Sequence, residues 1–130
     1  MREIKFRGLD VLTGSWVYGN LLTTAAGTYI IPQSLGINFI QSYQVDKDTI
    51  GQYTGLKDKN GLEIYEGDIL GAFDEKPLYV EYMDKHGAFC FMDKFDPYGL
   101  ETYTAKEISF DAFEHIGNIH ENLDLLEVSS

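Results

Sequence analysis

Short apolar runs separated by turn residues extend along the whole chain, and no long segment sustains apolar spacing at i, i+3, i+4 and i+7. That pattern predicts strands, arranged as a small barrel or sandwich. Ile4-Lys-Phe-Arg7 alternates like a half-buried strand, Asp10-Val-Leu-Thr-Gly14 turns the chain, and residues 15–22 return, so residues 3–22 read as a hairpin. Residues 28–31 form a third strand, stopped by Pro32. Further strands are expected over 39–45, 49–54, 63–73, 100–105 and 116–119. The clearest hairpin joins residues 77–83 to 88–92 across Asp84-Lys-His-Gly87. Residues 108–113 read as a short helical turn or an irregular crossing. A last helical turn is expected over 122–126, with the Asn122 side chain accepting the helix's first N–H groups.

The most distinctive string is Gln52-Tyr-Thr-Gly-Leu-Lys-Asp-Lys-Asn-Gly61, continuing through Glu63-Ile-Tyr-Glu-Gly-Asp-Ile69. It reads as two strands joined by a tight turn, because Asn60-Gly61 tolerates positive φ. Gly67 in Glu66-Gly-Asp68 frees the backbone for a bent strand, as at the entry to a small barrel.

Composition supports a compact β protein. The chain has 130 residues, 44% of them hydrophobic, with nine Tyr and eight Phe, enough for one cored domain of strand-favouring residues. Its lone cysteine, Cys90, cannot form an intrachain disulfide and lies in an apolar strand-like run, so it reads as a small buried hydrophobe. No apolar stretch approaches the roughly 20 residues of a membrane span, and the first residues lack a signal core. A cytoplasmic location is expected, with no membrane association.

Charge changes the picture of partners. The net charge is -11. Residues 1–50 balance Arg2, Lys5, Arg7 and Lys47 against Glu3, Asp10, Asp46 and Asp48, so the excess lies wholly in residues 51–130. A surface of that sign argues against direct nucleic-acid binding. It permits a basic protein partner or mimicry of a phosphate backbone, beside the simpler reading of a solvated acidic surface.

Candidate chemistry is sparse. His115 and His120 are five residues apart and would face opposite sides of one strand, His86 falls in a hairpin turn, and no paired-ligand spacing accompanies them. Asp58, Glu63, Glu66 and Asp68 are close enough in sequence to suggest acid–base work or a divalent metal. Turn geometry explains them more simply. Gly55 and Gly61 match no phosphate-binding spacing, and no nucleophile elbow occurs. No catalytic residue, cofactor or metal ligand is assigned. The aromatic residues lack interleaved Arg and point to core packing or a protein interface, with Trp16 and Tyr18 as interface candidates.

Three motifs in order carry a family resemblance. Arg2-Glu-Ile-Lys-Phe-Arg7 followed by Asp10, the central string through Ile69, and Ile116-Gly-Asn-Ile-His-Glu-Asn122 with Leu125-Leu126 together resemble the YopX family of phage and prophage proteins. Gly8-Leu9, His120 and Leu123 depart from its usual pattern, and residues 33–48 and 93–111 match it loosely. The resemblance implies a mainly β fold with little helix: a strand-rich region over 1–50 packing on an SH3-like barrel over 51–127, within one compact unit. It implies no catalytic residues, because the family has no established activity. The family-marking positions are Gln52, Tyr53, Thr54, Gly55, Asp58, Gly61, Tyr65, Glu66, Gly67, Asp68, Ile116, Gly117, Asn118, Glu121 and Asn122.

The expectation drawn from these features is a non-enzymatic accessory protein that binds a host or phage protein, or itself. The alternatives are a metal-dependent hydrolase or nuclease using Asp58, Glu63, Glu66 and Asp68, and an acidic DNA mimic.

Overall fold

A computed structural model describes residues 4–32, 42–72, 77–84, 87–92, 102–104, 113–122 and 124–127. The chain divides into two compact units, residues 1–53 and 54–130. The sequence placed its division at 50/51. The observed one falls inside a strand.

In the first unit, β1 (Phe6–Leu9), β2 (Trp16–Thr24), β3 (Gly27–Pro32) and β4 (Tyr43–Gln44) precede a 3-10 turn (Lys47–Thr49) and the start of β5 (Gly51–Lys57). All pairings are antiparallel, with Phe6 opposite Gly19, Leu9 opposite Trp16 and Thr24 opposite Gly27. The expected hairpin over residues 3–22 therefore forms across its described residues, as β1 and β2. Its turn is built by Asp10, whose Oδ1 accepts the Leu12 N–H at 2.9 Å and whose carbonyl accepts the Gly14 N–H at 2.8 Å. Gly14, at φ +73°, supplies the left-handed residue that this turn needs. A Cβ at Gly19 would lie 2.1 Å from the Ile31 carbonyl oxygen, so β2 and β3 require glycine there. Ile30 and Val45 are buried on one face of this sheet. The expected strand over 39–45 survives as Tyr43–Gln44, and residues 33–41 lie outside the described residues. Residues 47–49, partly assigned to a strand from the sequence, form the 3-10 turn because Asp46 Oδ1 accepts the Asp48 N–H.

The second unit continues β5 and adds β6 (Glu63–Tyr65), β7 (Asp68–Gly71), β8 (Leu78–Met83), β9 (Ala88–Met92), β10 (Thr102–Thr104), β11 (Glu114–Asn118) and a four-residue α1 (Asp124–Glu127). One sheet has the order β4-β3-β2-β1-β5-β6 and the other β10-β9-β8-β7-β11. The core gathers Ile64, Leu70, Leu78, Val80, Phe89, Phe91 and Phe113. Leu78 and Val80 alternate with less buried Tyr79 and Glu81, as a half-buried strand should. β9 instead buries Phe89, Cys90, Phe91 and Met92 in succession, which is the environment expected for Cys90.

The fold is mainly β, as expected, but neither sheet closes on itself among the described residues. Residues 63–73 do not form one bent strand. Gly67, at φ +94°, turns the chain between β6 and β7. β6 then joins the β5 sheet, and β7 joins β8 and β11. Phe73 and residues 108–112 lie outside the described residues, as does His86.

Candidate functional site

Two signature carboxylates converge on one histidine. Asp58 opens the turn between β5 and β6, and its Oδ1 accepts the N–H groups of Asn60 at 2.8 Å and Leu62 at 2.9 Å. Gly61, at φ +83°, completes the turn and donates its N–H to the Asp58 carbonyl at 3.0 Å. The other oxygen, Oδ2, accepts the backbone N–H of His115 at 2.8 Å. The Lys59 N–H is also bound by the Phe113 carbonyl at 3.1 Å. Asp58 thus ties the β5–β6 turn to the start of β11.

Asp68 is fully buried at the start of β7. Its Oδ2 accepts the Tyr65 N–H at 2.7 Å, closing the Glu66-Gly67 turn. Its Oδ1 lies 3.0 Å from Nε2 of His115, whose side chain is 28% exposed. A protonated His115 forms an ion pair with Asp68, and a neutral ring that carries its proton on Nε2 still donates to it. Both faces of the turn peptide are used as well: Gly67 donates to the Val80 carbonyl, and its own carbonyl accepts the Ile119 N–H, each at 2.8 Å.

The electrostatics of Asp58 favour a fixed anion. Burial pushes its carboxyl up. The N–H groups of His115, Leu62 and Asn60, with the His115 charge, outweigh that and hold it below the usual carboxylate range. A general base works best with a pKa near the operating pH. Asp58 is moved the other way, and its oxygens are engaged by three backbone donors.

The remaining candidate acids point elsewhere. Glu63 Oε1 accepts the Tyr65 hydroxyl at 3.1 Å, and Glu66 Oε2 accepts the Tyr82 N–H at 3.2 Å. Among the described residues, no group of three or more His, Cys, Asp or Glu side chains is arranged to hold a metal ion. The sequence brought Asp58, Glu63, Glu66 and Asp68 into one set. The structure joins the two aspartates through His115. His120 lies in the turn after β11 and not on a strand. The role of His115 was missed, because its partners are 47 and 57 residues away in sequence and nothing in the local pattern marks it.

The other marked positions serve the backbone. Gln52 pairs with Phe6, and buried Tyr53 donates its N–H to Lys5, whose Nζ stands 5.3 Å over the Tyr53 ring. Thr54 donates its hydroxyl to the Ile64 carbonyl at 2.8 Å. Gly55 adopts φ +86° within β5. Ile116 occupies a bulge between His115 and Gly117. Asn118 Oδ1 accepts the N–H groups of His120 and Glu121, and its Nδ2 donates to Glu121 Oε1. The Asn122 side chain turns back to accept the Asn118 N–H at 3.2 Å. This corrects the expected forward cap: the Asn122 contribution to α1 is its carbonyl, which accepts the Leu125 N–H. Close packing of Asn122 explains Gly117, where a Cβ would lie 2.6 Å from Asn122 Oδ1.

Of the two interface candidates, Tyr18 is 45% exposed and Trp16 is half-buried. Arg7 lies 4.5 Å over the Trp16 ring, an Arg–aromatic pairing that the linear pattern did not reveal. No helix among the described residues is long and apolar enough to cross a membrane.

A family model described as YopX protein matches residues 5–127. Among solved structures, the chain is similar to the crystal structure of protein EF1440 from Enterococcus faecalis. The identity is 27%, the TM-score 0.56, and the match covers 97% of this chain and 99% of that one. No curated protein matches the sequence.

Proposed function

The chain belongs to the YopX family, and from that premise we propose a phage- or prophage-encoded accessory protein that acts by binding another protein chain and performs no chemistry of its own. The observation that carries this reading is the exposed apolar face of β2. Tyr18 and Leu22 are 45% and 42% exposed. They share a face because side chains two and four apart on a strand point the same way. Tyr29 and Ile31 of β3 extend that face, since they pair with Leu22 and Asn20. Exposed large apolar groups next to one another suit a protein contact.

The site geometry supports the same reading from the other direction. Asp58 and Asp68 are engaged by the N–H groups of two turns and by the backbone and ring of His115. No observation favours the hydrolase reading over this one.

A photo-crosslinking residue placed at Tyr18 tests the proposal in the bacterial cell. The expected result is a discrete adduct with a protein chain, with none from the same residue placed at exposed Thr13. Absence of any adduct at position 18 would overturn the reading.

A further inference from the structure

We propose that Asn60 is a self-modification site: the backbone nitrogen of Gly61 displaces its side-chain amide, and the acidic residue left at position 60 loosens the turn that Asp58 builds. The inference is independent of the protein-binding reading above.

The sequence supplies the reacting pair. Asn60 is followed by Gly61, whereas Asn20, Asn38, Asn118 and Asn122 are followed by Leu, Phe, Ile and Leu. A side chain on the following residue hinders attack by its backbone nitrogen, and glycine has none. The structure leaves the pair open. Both residues lie in the β5–β6 turn and are exposed. A Cβ built on Gly61 would meet nothing within 4 Å, so no neighbour crowds the turn on that side.

The step balances with water as the sole co-reactant. The Gly61 nitrogen bonds to Cγ of Asn60 and gives up its proton. The Cγ–Nδ2 bond breaks, and Nδ2 leaves with that proton as ammonia. The resulting ring holds two carbonyls on one nitrogen, and water opens it at either. Cleavage at Cγ leaves Asp. Cleavage at the backbone carbonyl leaves isoaspartate, whose main chain runs through the former side chain.

The Asp58 turn sets both the pace and the consequence. The Gly61 N–H donates to the Asp58 carbonyl at 3.0 Å, and Asp58 Oδ1 accepts the N–H groups of Asn60 and Leu62 on either side. The nitrogen must leave that bond to react, so conversion follows local opening of the turn. Two things change afterwards. Asn60 Nδ2 lies 3.5 Å from Glu114 Oε2, and a carboxylate in its place donates no proton and sets like charges side by side. Isoaspartate also adds a carbon to the main chain between the Asn60 and Leu62 N–H groups, so both cannot keep their spacing on Asp58 Oδ1. Asp58 Oδ2 accepts the His115 N–H, so the disturbance reaches β11.

The test holds the full wild-type chain in warm, mildly alkaline buffer without denaturant. Mass spectrometry of its proteolytic peptides locates each conversion, and enzymatic methylation counts isoaspartate. Position 60 should convert at least tenfold faster than Asn20, which is also exposed but precedes Leu21. Asp58→Ala, with circular dichroism matching the wild type, should quicken conversion at least threefold by freeing the turn. In the converted chain, separated by its extra charge, the Leu62 and His115 amides should exchange hydrogen at least threefold faster than in the fresh chain. Asn60→Gln, held the same way, should keep its charge and its exchange rates. Conversion no faster at position 60 than at Asn20 would overturn the proposal. So would a converted chain whose Leu62 and His115 amides exchange as in the fresh one.

Discussion

Asp68 Oδ1 lies 3.0 Å from Nε2 of His115, and this contact joins β7 to β11 through a fully buried carboxylate. The His115 backbone N–H is at the same time held by Asp58. One residue of β11 therefore gathers the two aspartates of the central signature, and the turn after β5 and the turn before β7 are both locked to it.

The pair should be energetically coupled. Asp68→Ala leaves the buried Tyr65 N–H without its acceptor, at a cost of about 2–4 kcal/mol. A double-mutant cycle with His115→Ala, read by urea unfolding, should give a coupling of about 1–3 kcal/mol. Simple additivity would show that the contact carries no stability.

Asp58 should shape the acid limb of stability. Its folded pKa is below the unfolded value of 3.8. The unfolded state therefore binds the proton first as pH falls. The stabilisation from Asp58 is fully present above that unfolded value and is lost as pH drops through the depressed folded one. Asp58→Asn should flatten this part of the acid unfolding curve, and an unchanged curve would count against the tether.

These two aspartates show where sequence reasoning succeeded and where it stopped. The β8–β9 hairpin was readable because Leu78, Val80, Phe89 and Phe91 alternate about a turn closed at Gly87, whose N–H bonds the Asp84 carbonyl. The turn role of Asp58 was readable because Asn60 and Gly61 sit beside it. The turn at Glu66-Gly-Asp68 was readable from Gly67 and the short acceptor side chain of Asp68, but the division of residues 63–73 between two sheets was not. Which sheet each half joins is decided by tertiary bonds to Val80 and Ile119. The Asn122 direction was equally hidden, because the forward cap and the backward bond to Asn118 use the same side-chain oxygen.

Tyr79 should mark the alkaline limb. Burial, the Glu81 charge and the hydrogen bond to Glu81 push its hydroxyl up to about 12. An unfolded tyrosine ionises near ~10, so between those values the unfolded state loses its proton first. The stability from Tyr79 is intact below the lower value and falls as pH rises toward the upper one. Urea midpoints across about pH 9–12 should fall less steeply for Tyr79→Phe than for the wild type.

Gly117→Ala should loosen the end of β11. The added Cβ meets Asn122 Oδ1, Cγ and Cβ at 2.6–2.9 Å. Overpacking of this kind costs about 1–3 kcal/mol. Hydrogen exchange should show faster loss of the His120 and Glu121 amides, which Asn118 Oδ1 accepts in the wild type. Unchanged exchange would mean that the turn absorbs the methyl group.

The most direct test is thermal unfolding of the wild type and Asp68→Asn, each with and without Mn²⁺. With Asp68 as a structural clasp, the variant should melt about 10 °C lower, given a loss of roughly 2–3 kcal/mol, and the ion should move neither protein. A variant that melts with the wild type would contradict the account, as would a wild-type melting temperature raised by Mn²⁺ and restored to its metal-free value by Asp68→Asn.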